Sequence, residues 1–367
     1  MTLDDLPTPC LVLDRTVLER NIDRMADALA RHDVMLRPHM KTAKSIDVAR
    51  LALAGRTTGI TVSTLAEAEY FAAHSLTEIL YAVGITPRKL DQVAKLNAAG
   101  AGVTVITDDP DTATAIAAHP MPARALIEVD TGEGRGGVRP DDTALLAIAE
   151  RLGPCLGGVM THAGHSYGGR SPGEIAAIAE AERAGIVRAA ERLRGAGYVV
   201  PVVSVGSSPT ARHAVSLHGV TEVRAGVYMF GDLFQSEIGT HGPDDIAVTV
   251  LASVIGRRLA EGRFLIDAGG LALSKDRSTE AAPRDYGFGL VLDASGQRNY
   301  GDAVVQRAYQ EHGVVALDPA VPVDLPVGAL VRVAPNHVCM TAAAHDRYHV
   351  VDGGVEVLAV WRRVNGW

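Results

Sequence analysis

The chain of 367 residues is 47% hydrophobic and only 4% aromatic, with a formal net charge of -8, enough apolar material for one large domain plus a smaller one. The acidic balance, without a basic run or basic-aromatic interleaving, argues against a nucleic-acid partner. No apolar run reaches the roughly 18 residues of a membrane helix, and the acidic opening Met1-Thr2-Leu3-Asp4-Asp5 is no signal peptide. The three cysteines, Cys10, Cys155 and Cys339, are too scattered for a disulfide framework and fit a reducing cytosol. The expectation is a soluble cytoplasmic protein.

In chain order, an N-terminal run at Pro9–Leu13 precedes a helical pattern from about Arg15 to Arg31. Short β-branched runs then alternate with Ala-rich stretches of helical period. The runs are Val34–Lys41, Gly59–Thr64, Glu78–Val83, Gly102–Thr107, Arg124–Thr131, Leu156–Gly164, Val199–Gly206 and Glu222–Met229. Their near-continuous hydrophobicity marks strands covered on both faces, and eight strand-helix units predict an α/β chain with a (β/α)8 TIM-type barrel. An open doubly wound sheet is the alternative, but no Gly-x-Gly-x-x-Gly follows the first strand. After about Asp245 the helical patterns give way to runs at Ile246–Ile255, Arg263–Ala268, Gly313–Leu317, Ala329–Ala334 and His349–Val360. The predicted domains are therefore a barrel over 14–245 and a C-terminal all-β domain over 246–367, joined by residues 1–13.

Barrel enzymes carry their chemistry at the C-terminal strand ends. Those ends hold Lys41, Thr64, Asp130 with Arg135, His162 with His165 and Tyr167, Ser204 through Ser208, and Arg224 with Gly226 and Tyr228. Singly, each has a structural explanation as a turn cap, a core histidine or a turn glycine. Together they read as one rim. Lys41 closes the first barrel run, where burial would favour the neutral amine that Schiff-base chemistry needs. Gly206, Ser207 and Ser208 leave one strand and open a short helix, and Gly226 through Tyr228 leave its neighbour, so two adjacent loops could hold a phosphate. In Pro335-Asn336-His337-Val338-Cys339-Met340-Thr341, read as a strand, His337 and Cys339 point to one face and could share a metal ion as nitrogen and sulfur ligands. A buried cysteine beside a surface histidine is the structural alternative. Nearby His345 with Asp346, and Glu311 with His312, are candidate outer groups.

With these residues placed, the chain resembles the fold-type III pyridoxal-phosphate enzymes of the D-threonine aldolase and eukaryotic-type D-serine dehydratase family. The similarity runs from Thr8-Pro9-Cys10-Leu11-Val12 to the closing strands. Its most specific motifs are Arg37-Pro38-His39-Met40-Lys41-Thr42 and Pro335-Asn336-His337-Val338-Cys339. The resemblance implies that Lys41 forms the Schiff base with pyridoxal 5'-phosphate and that Arg135 contacts the cofactor's phenolic oxygen. It further implies that Tyr167 lies near the pyridine ring and that the Gly206–Ser208 and Gly226–Tyr228 loops hold the phosphate. Arg224 falls where alanine racemases of this fold set an arginine against the pyridine nitrogen.

His-x-Cys, where familiar aldolases show His-x-Asp, tilts the resemblance toward zinc and dehydration, with manganese or magnesium as alternatives. The implied activity is a lyase on β-hydroxy-D-amino acids such as D-serine, D-threonine or 3-hydroxy-D-aspartate, giving a 2-oxo acid and ammonia. Retro-aldol cleavage to glycine and an aldehyde is the first alternative. A metal-free racemase and a non-catalytic cofactor carrier are the others. A homodimer is expected from the resemblance alone.

Overall fold

The structure is a computed structural model that describes residues 1–55, 59–321 and 323–367. The chain separates into two compact units, one of residues 24–226 with 364–367 and one of residues 1–23 with 227–363. The first strand, β1 (Cys10–Asp14), belongs to the second of these.

The unit of residues 24–226 contains eight parallel strands: β2 (Met35–Pro38), β3 (Ile60–Val62), β4 (Glu78–Gly84), β5 (Gly102–Thr107), β6 (Ala125–Glu128), β7 (Leu156–Met160), β8 (Val202–Val205) and β9 (Glu222–Ala225). They pair in the order β3 through β9, and β9 pairs with β2. A parallel bridge between His39 and Thr61 closes the ring, with the Met40 N–H donating to the Thr61 carbonyl at 2.8 Å. The sheet is therefore a (β/α)8 barrel. Leu80, Ile106, Leu126 and Met160, from four successive strands, form one buried cluster. Helix starts follow the sequence grammar closely. Thr64, Asp109, Ser171 and Ser207 each accept the N–H three residues on, and Pro110, Pro172 and Pro209 sit in first turns where no amide is missed.

The other unit is built on a nine-stranded sheet of β1 with β10 (Val248–Arg258), β11 (Arg263–Ile266), β12 (Leu290–Asp293), β13 (Val304–Ala308), β14 (Gly313–Ala316), β15 (Leu330–Ala334), β16 (Arg347–Val351) and β17 (Ala359–Arg362). β1 pairs antiparallel with β10 and parallel with β16. Because β10 also pairs with β11 after a bulge near Ile255, the strands β10, β11, β14, β13, β12 and β15 close into a six-stranded ring. A bulge of this kind re-aims a long strand from one partner to another.

Four sequence expectations differ from these elements. The units divide at 226 rather than 245, because residues 227–245 bond within the β unit: the Leu233 and Phe234 N–H groups donate to the Pro335 and Asn336 carbonyls, and Asn21 donates to the carbonyls of Met229 and Asp245. β12 and β13 interrupt a stretch read as loop, while the run His349–Val360 splits between β16 and β17 at a polar Asp-Gly-Gly turn. Finally, Pro335–Thr341 is no strand: β15 stops at Ala334, and a short helix spans Val338–Ala343 with His337 at its N-cap.

Candidate active site

At the end of β2 the chain is pinned on both sides of Lys41. The His39 N–H donates to the Ala225 carbonyl at 2.7 Å, and Met40 and Thr42 are fully buried. Lys41 itself is exposed, so the burial expected of it is not found. Its backbone N–H faces His39 Nδ1 at 3.4 Å, and among the described residues its amine makes no hydrogen bond or ion pair. Lys44, three residues on, differs. It adopts a left-handed conformation (φ 48°) and places Nζ 2.5 Å from Oε1 of Glu67, which is fully buried. Among the described residues, then, Lys41 has no ion-pair partner while Lys44 is locked by Glu67.

Two imidazoles flank Lys41. His162 donates from Nδ1 to the Gly206 carbonyl at 2.7 Å, and burial, followed by the charge of Lys41, lowers its pKa to about 3. Burial and the same lysine hold His39 well below the ordinary histidine range. Both rings are therefore neutral at physiological pH. Beneath them the buried Arg224 donates to Ser204 Oγ at 2.7 Å and to the Thr161 carbonyl at 2.5 Å.

The rim loops are tied to one another. Gly164 N–H donates to Glu133 Oε2 at 2.8 Å, Thr131 and Thr161 hydroxyls lie 2.9 Å apart, and Ser166 and Ser207 hydroxyls 2.8 Å apart. Arg135 projects into solvent, 3.6 Å from Glu133 and 3.9 Å from Glu128, and its charge reaches His162. Tyr167 is half-buried in the short turn Gly164–Gly168.

At the predicted phosphate loops the structure changes the argument. The Gly206 N–H is already given to the buried Glu182 at 2.9 Å, and the Ser207 N–H faces Thr210 Oγ1 at 3.2 Å. Those amides are not an open cradle. The glycines answer to backbone packing instead: a Cβ on Gly206 would lie 2.0 Å from the Arg224 carbonyl oxygen, and one on Gly226 would lie 2.6 Å from that of His39. Ser207 and Ser208 are buried. Tyr228 lies in a buried turn of the β unit, Val227–Met229, whose Tyr228 carbonyl accepts from His241 Nε2 at 2.8 Å.

In the β unit, His337 and Cys339 do meet, although through a helix N-terminus rather than a strand face. Burial would lower the pKa of His337, but Asp276, 3.0 Å from Nδ1, and a hydrogen bond with the Cys339 side chain outweigh it and push the imidazole up to about 11. Asp232 caps two helix starts, accepting from the Gln235 N–H at 2.8 Å and the Val338 N–H at 3.0 Å. The outer groups expected from sequence face elsewhere: His345 Nε2 meets the Ala272 carbonyl and Asp346 pairs with Arg347. Glu311 and His312 form the turn between β13 and β14. Among the described residues no cluster of three or more His, Cys, Asp or Glu is arranged to hold a metal. Asp276 and Asp232 escaped the sequence reading, since neither neighbours the motif along the chain.

A barrel with an unpaired lysine at its first strand end, neutral imidazoles around it and a β domain is the architecture of fold-type III pyridoxal-phosphate enzymes. Residues 13–233 match the alanine racemase N-terminal domain, and residues 247–351 match a putative serine dehydratase domain. The chain is 46% identical to D-threo-3-hydroxyaspartate dehydratase of Delftia sp. (strain HT23), covering 100% of this chain and 99% of that protein. It is 30% identical to D-threonine aldolase of Arthrobacter sp, covering 96% and 91%. A cysteine-to-alanine variant of D-threo-3-hydroxyaspartate dehydratase in the metal-free form superposes with a TM-score of 0.95 at 44% identity, covering 100% of both chains. The chain belongs to this pyridoxal-phosphate-dependent family, with an alanine racemase N-terminal domain and a serine dehydratase domain, and it is a lyase. Among the described residues no helix is long and apolar enough to cross a membrane.

Proposed function

We propose that this lyase dehydrates a 3-hydroxy-D-amino acid of the D-threo-3-hydroxyaspartate type, releasing a 2-oxo acid and ammonia. The observation that carries the reading is the contact between His337 and Cys339, a nitrogen and sulfur donor pair suited to zinc with coordination positions left for a substrate hydroxyl. The full-length similarity to a dehydratase supports it.

The residues also suit the organic cofactor. Among the described residues the Lys41 amine has no ion-pair partner, whereas the Gly206 and Ser207 amides are already bonded, so a phosphate at this rim would draw on other donors than these two. Arg135 would meet the phenolic oxygen and Tyr167 the ring. When bound, pyridoxal phosphate supplies the electron sink for the carbanion at Cα, and a divalent ion the Lewis acid for the β-oxygen. Lys41 would hold the cofactor, and its Nζ, when free, would serve as the base for the Cα proton. His39 and His162, both neutral, add no charge that would repel its protonated form.

The test is product analysis with D-threo-3-hydroxyaspartate, D-serine and D-threonine, before and after chelation. Oxaloacetate and ammonia from hydroxyaspartate, lost on chelation and restored by zinc, are expected. Glycine with glyoxylate would instead make the enzyme an aldolase. Full activity in metal-stripped protein would overturn the role given to His337 and Cys339.

A further inference from the structure

We infer that Asp276 is a positioning residue for the metal site, fixing His337 so that Nε2 is the nitrogen presented to the ion. The inference rests on the proposed ligands His337 and Cys339. Asp276 Oδ2 lies 3.0 Å from His337 Nδ1, so a neutral imidazole keeps its proton on Nδ1 and its lone pair on Nε2. With Nδ1 committed to Asp276, Nε2 is the ring nitrogen left for a ligand. A carboxylate on the far nitrogen of a ligating histidine sets its tautomer, holds the ring plane and makes the nitrogen more basic.

The carboxylate is itself well held. Its Oδ1 accepts from the Ser278 N–H at 2.8 Å and from the Ser278 hydroxyl, and the Asp276 N–H donates to Ser274 Oγ at 3.0 Å. Asn336, the residue before His337, clamps the two segments together. Its Nδ2 donates to the Asp276 carbonyl at 3.3 Å and to that of Gly287 at 2.6 Å, and its Oδ1 accepts from Thr279 Oγ1 at 2.9 Å. Asn336 is buried, so these bonds exclude competing water. The loop from Ser274 to Thr279 thus brings one carboxylate to a ring some sixty positions later in the chain, and does so through a dedicated clamp.

The test is metal affinity of the full-length protein, measured by competing zinc against a chromophoric chelator, for Asp276→Asn and Asp276→Ala beside His337→Ala and Cys339→Ala. An outer carboxylate of this kind is worth about 10–100-fold in affinity. We expect Asp276→Ala to weaken zinc binding by about that factor, with Asp276→Asn in between because its amide oxygen still accepts from Nδ1–H. Cofactor absorbance should be unchanged in both. In the cobalt form, the thiolate charge-transfer band should shift in Asp276→Ala while persisting in wild type. Wild-type zinc affinity in Asp276→Ala, with a lowered melting temperature of the metal-free protein, would make the carboxylate structural only and overturn the inference. Wild-type affinity in His337→Ala and Cys339→Ala would overturn the metal site itself, which separates the two failures.

Discussion

The pair Lys41 and Lys44 permits a test in which two neighbouring lysines should fail in opposite ways. Lys44 donates to Glu67 at 2.5 Å, and that carboxylate is fully buried, with weaker support from the Ser63 N–H at 3.2 Å and Thr64 Oγ1 at 3.3 Å. Lys44→Met keeps an unbranched apolar side chain and removes the ammonium with its hydrogen bond. It leaves a buried carboxylate with hydrogen bonds but no counter-ion, which costs about 3–5 kcal/mol. At about 2–4 °C per kcal/mol for a unit near 200 residues, the melting temperature should fall by about 6–20 °C. Lys41→Ala removes an exposed amine with no ionic partner among the described residues, so stability should stay within about 0.5 kcal/mol of wild type. Its activity should vanish.

The assay has two arms. Melting of the cofactor-free proteins gives stability, and borohydride reduction of the loaded proteins followed by peptide mass analysis gives the point of attachment. The adduct should map to Lys41 in wild type and in Lys44→Met, and be missing in Lys41→Ala. Attachment at Lys44, or an unchanged melting temperature in Lys44→Met, would refute the assignment of roles.

Two more perturbations probe the rim. His162 is held near pKa 3 by burial and the charge of Lys41, below its unfolded value near 6.5, so its contribution to stability is fully present above pH 6.5 and is lost as pH falls toward 3, at about 1.4 kcal/mol per pH unit. His162→Gln should flatten urea-unfolding midpoints between pH 7 and 4, and an unaltered slope would show that the ring is protonated in the folded protein. Gly206→Ala places a Cβ 2.0 Å from the Arg224 carbonyl at φ 140°, so a loss of at least about 3 kcal/mol is expected from overpacking and backbone strain together. A wild-type melting temperature would show that β8 and β9 can separate there without cost.

The barrel was legible because each strand is a short apolar run flanked by caps and turns, signals that lie within a few residues of the structure they cause. Lys41, His162 and Ser207 sit at the ends of such runs and could be found by counting to the end. β12 and β13 were not legible: Leu290–Asp293 is four residues long and follows a Gly/Pro/Asp-rich stretch that carries no period. The Pro335–Thr341 motif was read as a strand that sets His337 and Cys339 on one face, whereas the two side chains meet at a helix start with His337 at the N-cap. Asp276 and Glu67 carried no sequence signal at all. Each acquires its role from a partner that only tertiary structure delivers, His337 in one case and Lys44 in the other.

The electrostatics of the barrel rim explain how an exposed lysine can still be selective. Lys41, Arg224 and Arg135 all act on His162, and the two nearby imidazoles are neutral. Several acids in reach are already engaged, Glu133 and Glu128 beside Arg135 among them. Glu222 is committed to Arg37 at 2.8 Å and to the Ser204 hydroxyl at 2.7 Å. Burial raises the pKa of Glu182, which already accepts the Gly206 N–H, and burial likewise raises that of Glu128. Lys41, with no ion pair among the described residues, is the cation of this rim that favours an incoming anion. Under the role proposed for Lys41, a phosphorylated aldehyde and a substrate bearing carboxylates would both be drawn to it, whereas Lys44, paired with the buried Glu67, offers them neither charge nor a free amine. Selectivity at this site therefore comes from which lysine is left unpaired, and only secondarily from how deeply it is buried.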